Sequence, residues 1–170
     1  MTYQPFITII SLTVSKGSDI LKEKHINLTM LNGSIYRSTQ VYTTEVLKKY
    51  HLGSGSYPYL LTLYHSDGLN QNQISKELDV DKAMSTRVIK KLIDLGYVRR
   101  EISKEDSRAN QLYLTDLGKS IIPDIKKELL KWNEILTSGL SDQEKEVLFN
   151  LLSIVVKDMK NYRKQQKMEK

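Results

Sequence analysis

The fold follows from one stretch, Gln71-Asn-Gln-Ile-Ser-Lys-Glu-Leu-Asp-Val-Asp-Lys-Ala-Met-Ser-Thr-Arg-Val-Ile-Lys-Lys-Leu-Ile-Asp-Leu-Gly-Tyr-Val-Arg-Arg100. Ile74 and Leu78 lie four positions apart, so the first part has one apolar helical face. Asp81 is a typical N-cap for a second helix, and Gly96 suits the left-handed residue that follows a helix. Two helices joined by so short a turn predict a helix-turn-helix, whose second helix is shaped to enter a DNA major groove.

The second helix has two different faces when it is unrolled at about 100° per residue. Its predicted core stripe consists of Met84, Val88, Leu92 and Leu95. Ile89 and Ile93 lie off this stripe, and the sequence does not show what covers them. The opposite face holds Lys82, Ala83, Thr86, Arg87 and Lys90, with Ser85 on one flank. For an isolated helix this would be an ordinary solvated basic face, so the segments that follow decide the interpretation.

Two strand-like segments come directly after the second helix. Residues 97–102 are rich in strand-forming types, residues 103–109 are polar and charged, and residues 110–114 alternate like a returning strand. This pattern predicts a β-hairpin, or wing. Residues 82–108 carry eight basic and four acidic side chains, a net charge of +4 out of +6 for the whole chain. The excess positive charge is therefore concentrated where DNA would lie.

Specific DNA contacts can be assigned to both helices. On the second helix we expect them from Lys82, Ala83, Ser85, Thr86, Arg87 and Lys90. Thr86 can meet a thymine methyl group or a phosphate, and Arg87 can meet a guanine edge or a phosphate. At the start of the first helix, Asn70, Gln71 and Gln73 can donate hydrogen bonds to phosphates.

The predicted wing resembles the signature of a known protein family. Asp106-Ser-Arg108 precedes Leu114-Thr-Asp-Leu-Gly118, which is similar to the Asp-x-Arg and Leu-Thr-x-x-Gly pattern of the MarR-type (multiple-antibiotic-resistance) transcriptional regulators. The segment Leu92-Ile-Asp-Leu-Gly-Tyr-Val-Arg-Arg100 also matches the usual exit from the recognition helix of that family. The resemblance covers residues 27–163. It implies a mainly α fold with a small β-hairpin wing: a winged helix-turn-helix with long N- and C-terminal dimerisation helices.

The same resemblance implies a function and several residue roles. It implies a transcriptional regulator, more often a repressor, that binds a pseudo-palindromic operator in double-stranded DNA as a homodimer. In the wing, Arg108 would reach into the minor groove, with Lys104 as a further DNA contact. Asp106 would orient the wing through an ion pair with Arg99 or Arg100. The alternative for Arg108 is a surface charge on a loop.

A small-molecule effector is a further implication of the resemblance. Members of the family bind small anionic aromatic or other ligands between the winged unit and the dimer helices. The candidate residues here are Tyr36, Arg37, Tyr42, Tyr57, Tyr64 and His65. A tyrosine is more often a core residue with one satisfied hydroxyl, so structural roles are the competing interpretation.

The chain divides into four predicted segments, within the size range of one compact domain. Residues 1–24 are an extension of unclear structure, either an added strand, a dimer-covering arm or a non-native extension. Residues 25–56 hold an N-terminal helix and a loop in which Ser56 can cap the next helix; residues 57–114 form the winged unit. Residues 115–170 contain a long helix capped by Thr115 and kinked at Pro123, then a last helix opened by a Ser141–Glu144 capping box. The long terminal helices favour burial against a second copy.

Several other functions receive little support from the sequence. Cysteine is absent, which excludes disulfides and thiolate chemistry. The histidines, His25, His51 and His65, have no metal-binding spacing, and no catalytic motif is present, so we expect no metal, no cofactor and no enzyme activity. The apolar run of residues 6–14 is too short to span a membrane, and we expect a cytoplasmic protein with no membrane partner. The alternative function is a winged-helix module that binds protein, which would expose apolar rather than basic residues on the second helix.

Overall fold

A computed structural model describes residues 27–102 and 110–168 of the chain. The helices are α1 (Leu28–Leu47), which continues into a 3₁₀ turn (Lys48–Tyr50), α2 (Tyr57–His65), α3 (Gln71–Glu77), α4 (Lys82–Asp94), α5 (Asp116–Ser120), α6 (Ile122–Leu136) and α7 (Asp142–Met168). The strands are β1 (Leu69–Asn70), β2 (Val98–Ile102) and β3 (Asn110–Leu114). The expected winged helix-turn-helix with long helices on both sides is therefore confirmed. The predicted extension over residues 1–24 lies outside the described residues.

Side-chain caps fix where most of the helices begin. The backbone N–H of Met84 donates to Asp81 Oδ1 at 2.8 Å, as the sequence predicted. Thr115 Oγ1 accepts from Gly118 N at 3.0 Å, and the predicted capping box at Ser141 is present, with Ser141 N donating to Glu144 Oε2 at 2.8 Å. The predicted cap at Ser56 is wrong, because that residue is buried with helical backbone angles and makes no capping hydrogen bond.

The wing belongs to a three-stranded antiparallel sheet in the order β1-β3-β2. Strand β2 pairs with β3 so that Val98 lies opposite Leu114. The short strand β1, which the sequence did not predict, adds Leu69 opposite Leu112 on the other edge of β3. Because β1 leads straight into α3, this pairing ties the helix-turn-helix to the base of the wing.

The core of the winged unit lies between α2, α3, α4, the sheet and the start of α6. It is formed by Leu60, Leu63, Ile74, Ile89, Leu92, Val98, Leu112, Leu114, Ile122 and Ile125, each at most 2% exposed. The predicted core stripe of the second helix is partly wrong, because Met84 is 51% exposed. Leu92 of the predicted stripe is buried, but Ser85 and Ile89 face the core beside it, so the helix is rotated relative to the predicted stripe.

The helix after the wing is interrupted where proline was expected to kink it. Helix α5 ends at Ser120 and α6 begins at Ile122, with Pro123 in its first turn. Proline lacks a backbone N–H, which is tolerated only at a helix start, so the single predicted helix becomes two. Helix α6 then runs beside α1, where the rings of Tyr42 and Trp132 stack with their centroids 4.5 Å apart.

The long terminal helices expose many apolar side chains. On α1 these are Leu28, Met30, Leu31, Ile35 and Val41. On α7 they are Val147, Phe149, Leu151, Leu152, Ile154, Val155, Val156, Met159 and Tyr162, between 38% and 63% exposed. Isolated apolar residues are normal on a protein surface, but contiguous rows of this length mark an interaction surface.

Candidate nucleic-acid interface

The outer face of α4 carries exposed cations in regular positions. Lys82, Arg87 and Lys90 are exposed, together with Thr86 and the small residue Ala83. The helix starts at Lys82 and the preceding Asp81 caps it, so the basic row begins in the first turn. A lysine there opposes the helix dipole, whereas a phosphate bound at the same end would be stabilised by it.

A hydrogen-bond chain holds Thr86 in place. Gln71 Nε2 donates to Thr86 Oγ1 at 2.6 Å, and Thr86 Oγ1 donates to the carbonyl oxygen of Lys82 at 2.7 Å. Gln71 begins α3, so this contact links the first turn of α3 to the exposed face of α4. The side chain of Thr86 therefore presents its methyl group in a fixed orientation, which is the group that would meet a thymine methyl.

Ser85 is the one residue of the predicted major-groove set whose position contradicts its assignment. Its side chain is fully buried, and its hydroxyl has no hydrogen-bond partner. A buried atom cannot contact DNA without the helix rotating, so the prediction for Ser85 is wrong. The sequence predicts the wrong rotation of α4 because methionine is typical of a core position and serine of a surface position.

Asn70 and Gln73 form a reciprocal capping box at the start of α3. Gln73 N donates to Asn70 Oδ1 at 3.0 Å, and Asn70 N donates to Gln73 Oε1 at 2.7 Å. Both side-chain oxygens are thus used within the protein, which leaves their amide NH₂ groups as the atoms able to donate to phosphates. Their role as phosphate ligands stays a prediction.

The described part of the wing shows what positions Arg99. Arg99 forms an ion pair with Glu101, and its guanidinium lies 4.7 Å from the centroid of the Tyr113 ring. Tyr113 and Glu101 were missed by the sequence reasoning, although their alternation on facing strands was readable. Arg100 is exposed on β2. Lys104, Asp106 and Arg108 lie outside the described residues, so the proposed pairing of Asp106 with Arg99 or Arg100 stays a prediction.

The predicted effector residues contact different partners. Tyr42 donates a 2.9 Å hydrogen bond to Glu128 Oε2 and stacks on Trp132, whose indole N–H donates to Thr39 Oγ1 at 2.8 Å. Burial and the bond to the Glu128 carboxylate raise the pKa of Tyr42. Glu128 and Trp132 were missed because a pairing of α1 with α6 is not visible in either helix alone.

The other candidate effector residues differ in exposure and in the residues that they contact. Tyr36 is exposed and Tyr57 half-buried; burial first, and then the nearby Tyr36, raise the pKa of Tyr57. Tyr64 contacts His65 edge-on, and Lys126 Nζ lies 4.4 Å from the Tyr64 ring centroid. The exposed Arg37 donates to Ser34 Oγ at 3.2 Å. A shared binding site for these residues stays a prediction.

Neither a metal centre nor a membrane-spanning helix is present in the described part of the chain. Across residues 27–102 and 110–168, no group of three or more histidine, aspartate or glutamate side chains is arranged to hold a metal ion. Within the same ranges, no helix combines the length and apolar character needed to cross a membrane.

Comparison with known proteins identifies the family. The MarR family model matches residues 54–109. The HTH-type transcriptional regulator BilQ of Clostridioides difficile is 35% identical over 143 residues, which are 84% of this chain and 95% of that protein. The chain belongs to the MarR family. It is a winged helix-turn-helix transcriptional regulator, as its wing motif indicated.

Solved structures of MarR proteins agree with the described fold. A MarR transcriptional regulator from Methanosarcina mazei has 37% sequence identity and a TM-score of 0.74, covering 77% of this chain and 94% of that one. A MarR-family regulator from Listeria monocytogenes, crystallised with a 26mer DNA, has a TM-score of 0.73 over 79% of this chain and 89% of that one. At 22% identity the second likeness shows the fold alone.

Proposed function

We propose that this MarR-family protein binds a pseudo-palindromic operator as a homodimer and represses transcription from it. The observation that carries the proposal is the exposed cationic row of Lys82, Arg87 and Lys90 on α4, with Thr86 fixed between them. Arginine and lysine in a major groove contact guanine edges and phosphates, and threonine contacts thymine methyl groups. The net positive charge of the chain favours the same polyanionic partner.

The exposed apolar rows of α1 and α7 support the homodimer part of the proposal. Burying apolar surface gives roughly 25 cal/mol per Å², and rows of leucine, isoleucine and valine are costly to leave in water. A second copy would cover them through a two-fold axis, in which the same surface is used by both chains. Two copies of α4 about one helical turn (~34 Å) apart would then enter successive major grooves.

An electrophoretic shift assay on duplex DNA from upstream of the protein's own gene tests the proposal. We expect a specific shift, and Arg87→Ala should weaken it about ten- to hundredfold because one base or phosphate contact is lost in each half-site. Lys131→Ala on α6 removes the same charge from another exposed helix position and is the matched control. No specific shift by the native protein, or equal losses in the two variants, would reject the proposed DNA surface.

A protein-binding winged helix remains the alternative class. It would use an apolar outer face on α4, and Met84 is the one large apolar side chain exposed there, at 51%. Three cations surround the same face, so the charge distribution favours DNA. Met84→Gln should therefore leave DNA affinity within about threefold, since a single methionine contact with a base is worth little against the phosphate contacts.

We further propose that a small ligand releases the dimer from its operator. A ligand that bound better to one spacing of the two winged units would shift the dimer away from the DNA-bound arrangement. Among the candidate residues, Tyr42 is the best placed to contact a ligand between α1 and α6, because its ring joins these two helices. The Glu128 carboxylate beside it would repel an anionic ligand. Titration of salicylate-like compounds into the operator complex tests this, and retention of the complex at every concentration would argue against an anionic aromatic effector.

A further inference from the structure

The C-terminal half of α7 carries a second basic surface that the proposed DNA contacts do not use. Between residues 157 and 166, Lys157, Lys160, Arg163 and Lys164 are exposed, against one acid, Asp158. At about 100° per residue, these four cations fall within an arc of roughly 120° on the helix. We call this set the α7 basic stripe. Asp158 lies on the opposite side, so the stripe has one sign of charge.

At residues 157–164 the α7 basic stripe lies beside the main apolar row of the same helix, and the exposed Phe149 and Val156 precede it on its own side. Leu148, Leu152, Val155 and Met159 form a neighbouring row, displaced from the centre of the stripe by about 100°. A partner that covered this apolar row would therefore leave the lysines at its edge in solvent. The stripe is consequently available to another ligand in the proposed dimer.

One contact places the stripe beside the helix-turn-helix. Arg163 forms an ion pair with Asp79. Asp79 lies in the turn between α3 and α4, has a left-handed backbone with φ of 54°, and precedes the N-cap Asp81 by two residues. The distal part of α7 therefore reaches the end of α4 at which the proposed DNA-binding row begins.

We propose that the α7 basic stripe binds backbone phosphates of the same duplex, next to the segment entered by α4. This inference rests on the proposed DNA binding and extends its footprint. Arg163 is engaged with Asp79 and acts as the anchor, while Lys160 and Lys164, three positions before and one after it, are the phosphate ligands. Lysine suits this role because a flexible ammonium can follow a phosphate without reading a base.

The competing explanation is purely structural. Cations near a helix C-terminus interact favourably with the helix dipole, which needs no ligand. That explanation predicts a small change in helix stability on their removal and an unchanged dependence of DNA binding on salt. Phosphate binding predicts the reverse, because each neutralised phosphate releases counterions.

The test compares two double variants of the full-length protein on the upstream duplex. Binding is measured from about 50 to about 300 mM salt, and the slope of log affinity against log salt is determined for each variant. Lys160→Gln with Lys164→Gln removes the proposed ligands. Lys127→Gln with Lys131→Gln removes the same charge from exposed positions of α6. Circular dichroism melting checks that both variants fold like the native protein.

We expect the Lys160/Lys164 variant to lower the slope of log affinity against log salt by about three to four per dimer, with affinity at least about tenfold weaker. The control should change the slope by less than about one. A slope change no larger than that of the control would overturn the inference while leaving the proposed function intact. If the native protein does not bind the duplex, the proposed function fails first.

Discussion

At the scale of single residues, Ser85 is a buried polar side chain whose hydroxyl lowers the stability of the fold. The hydroxyl lies on the buried side of α4 without a hydrogen-bond partner, and an unpaired buried polar group lowers the free energy of unfolding. Ser85→Ala should leave the free energy of unfolding unchanged or raise it by up to about 1 kcal/mol. Ser75→Ala is the matched control, because the Ser75 hydroxyl is also buried in a helix but donates to the carbonyl oxygen of Gln71 at 2.8 Å. Urea unfolding measures both, and a larger loss for Ser85→Ala would contradict the assignment.

Gly118 is the second residue with a defined steric role. A Cβ atom there would collide with the carbonyl oxygen of Tyr97, in the backbone just before β2. Gly118→Ala should therefore destabilise the protein by about 2 kcal/mol, since overpacking against backbone cannot be relieved by a rotamer change. Gly139→Ala, at a site with no atom within 4 Å, should have little effect. Melting temperatures compare the two, and similar values would show that α5 can shift to accommodate the methyl group.

At the scale of elements, the contact between α1 and α6 depends on few side chains. Tyr42→Phe keeps the stack on Trp132 and removes the hydrogen bond to Glu128. We expect a loss of about 1 kcal/mol, since the partly buried Glu128 loses its donor. Trp132 is the only tryptophan of the chain, so its fluorescence follows unfolding directly. The exposed Tyr162→Phe is the control, and an equal effect of both changes would argue against a specific link.

The helix caps depend on local sequence, whereas the rotation of α4 depends on packing against other elements. Asp81, Thr115 and the Ser141–Glu144 box were predicted from residue type alone and are confirmed as caps, because a cap needs only neighbours in sequence. The rotation of α4 was predicted wrongly, since it depends on which side of the helix packs against α3 and β2. Strand β1 was missed because a strand of two residues is too short to show a periodicity.

At the scale of the whole molecule, dimerisation should depend on the apolar row of α7. Val155→Glu places a charge in that row, so we expect a dimer of the native protein and a monomeric variant by light scattering. Asn161→Glu adds the same charge on the polar side of the same helix and should stay dimeric. A dimeric Val155→Glu protein would place the interface elsewhere.

The raised pKa values of several tyrosines predict how the stability of the whole molecule depends on pH. Burial is the largest cause that raises the pKa of Tyr42, Tyr50, Tyr57 and Tyr97 above the ordinary value near 10. The folded state therefore holds these phenolic protons more tightly than the unfolded state. Their contribution to stability is complete below about pH 10 and is lost as the pH rises through the raised values. Urea unfolding between pH 8 and 11 should show this fall, and Tyr57→Phe should reduce its slope; a flat profile would contradict the assignment.

The sequence by itself determined the family, the helix caps at Asp81, Thr115 and Ser141, the place at which Pro123 disturbs the helix, and the charge of the α4 outer face. Each of these depends on residues adjacent in the chain or on a one-helix repeat. Tertiary structure alone decided which side of α4 is buried, how Tyr42 meets Trp132, and that Arg163 reaches Asp79 across 84 positions of sequence. These contacts join elements that carry no local signal of each other. Which elements meet is decided by the packing of the whole molecule. The folded arrangement is the one that leaves few buried polar groups unpaired and little apolar surface exposed.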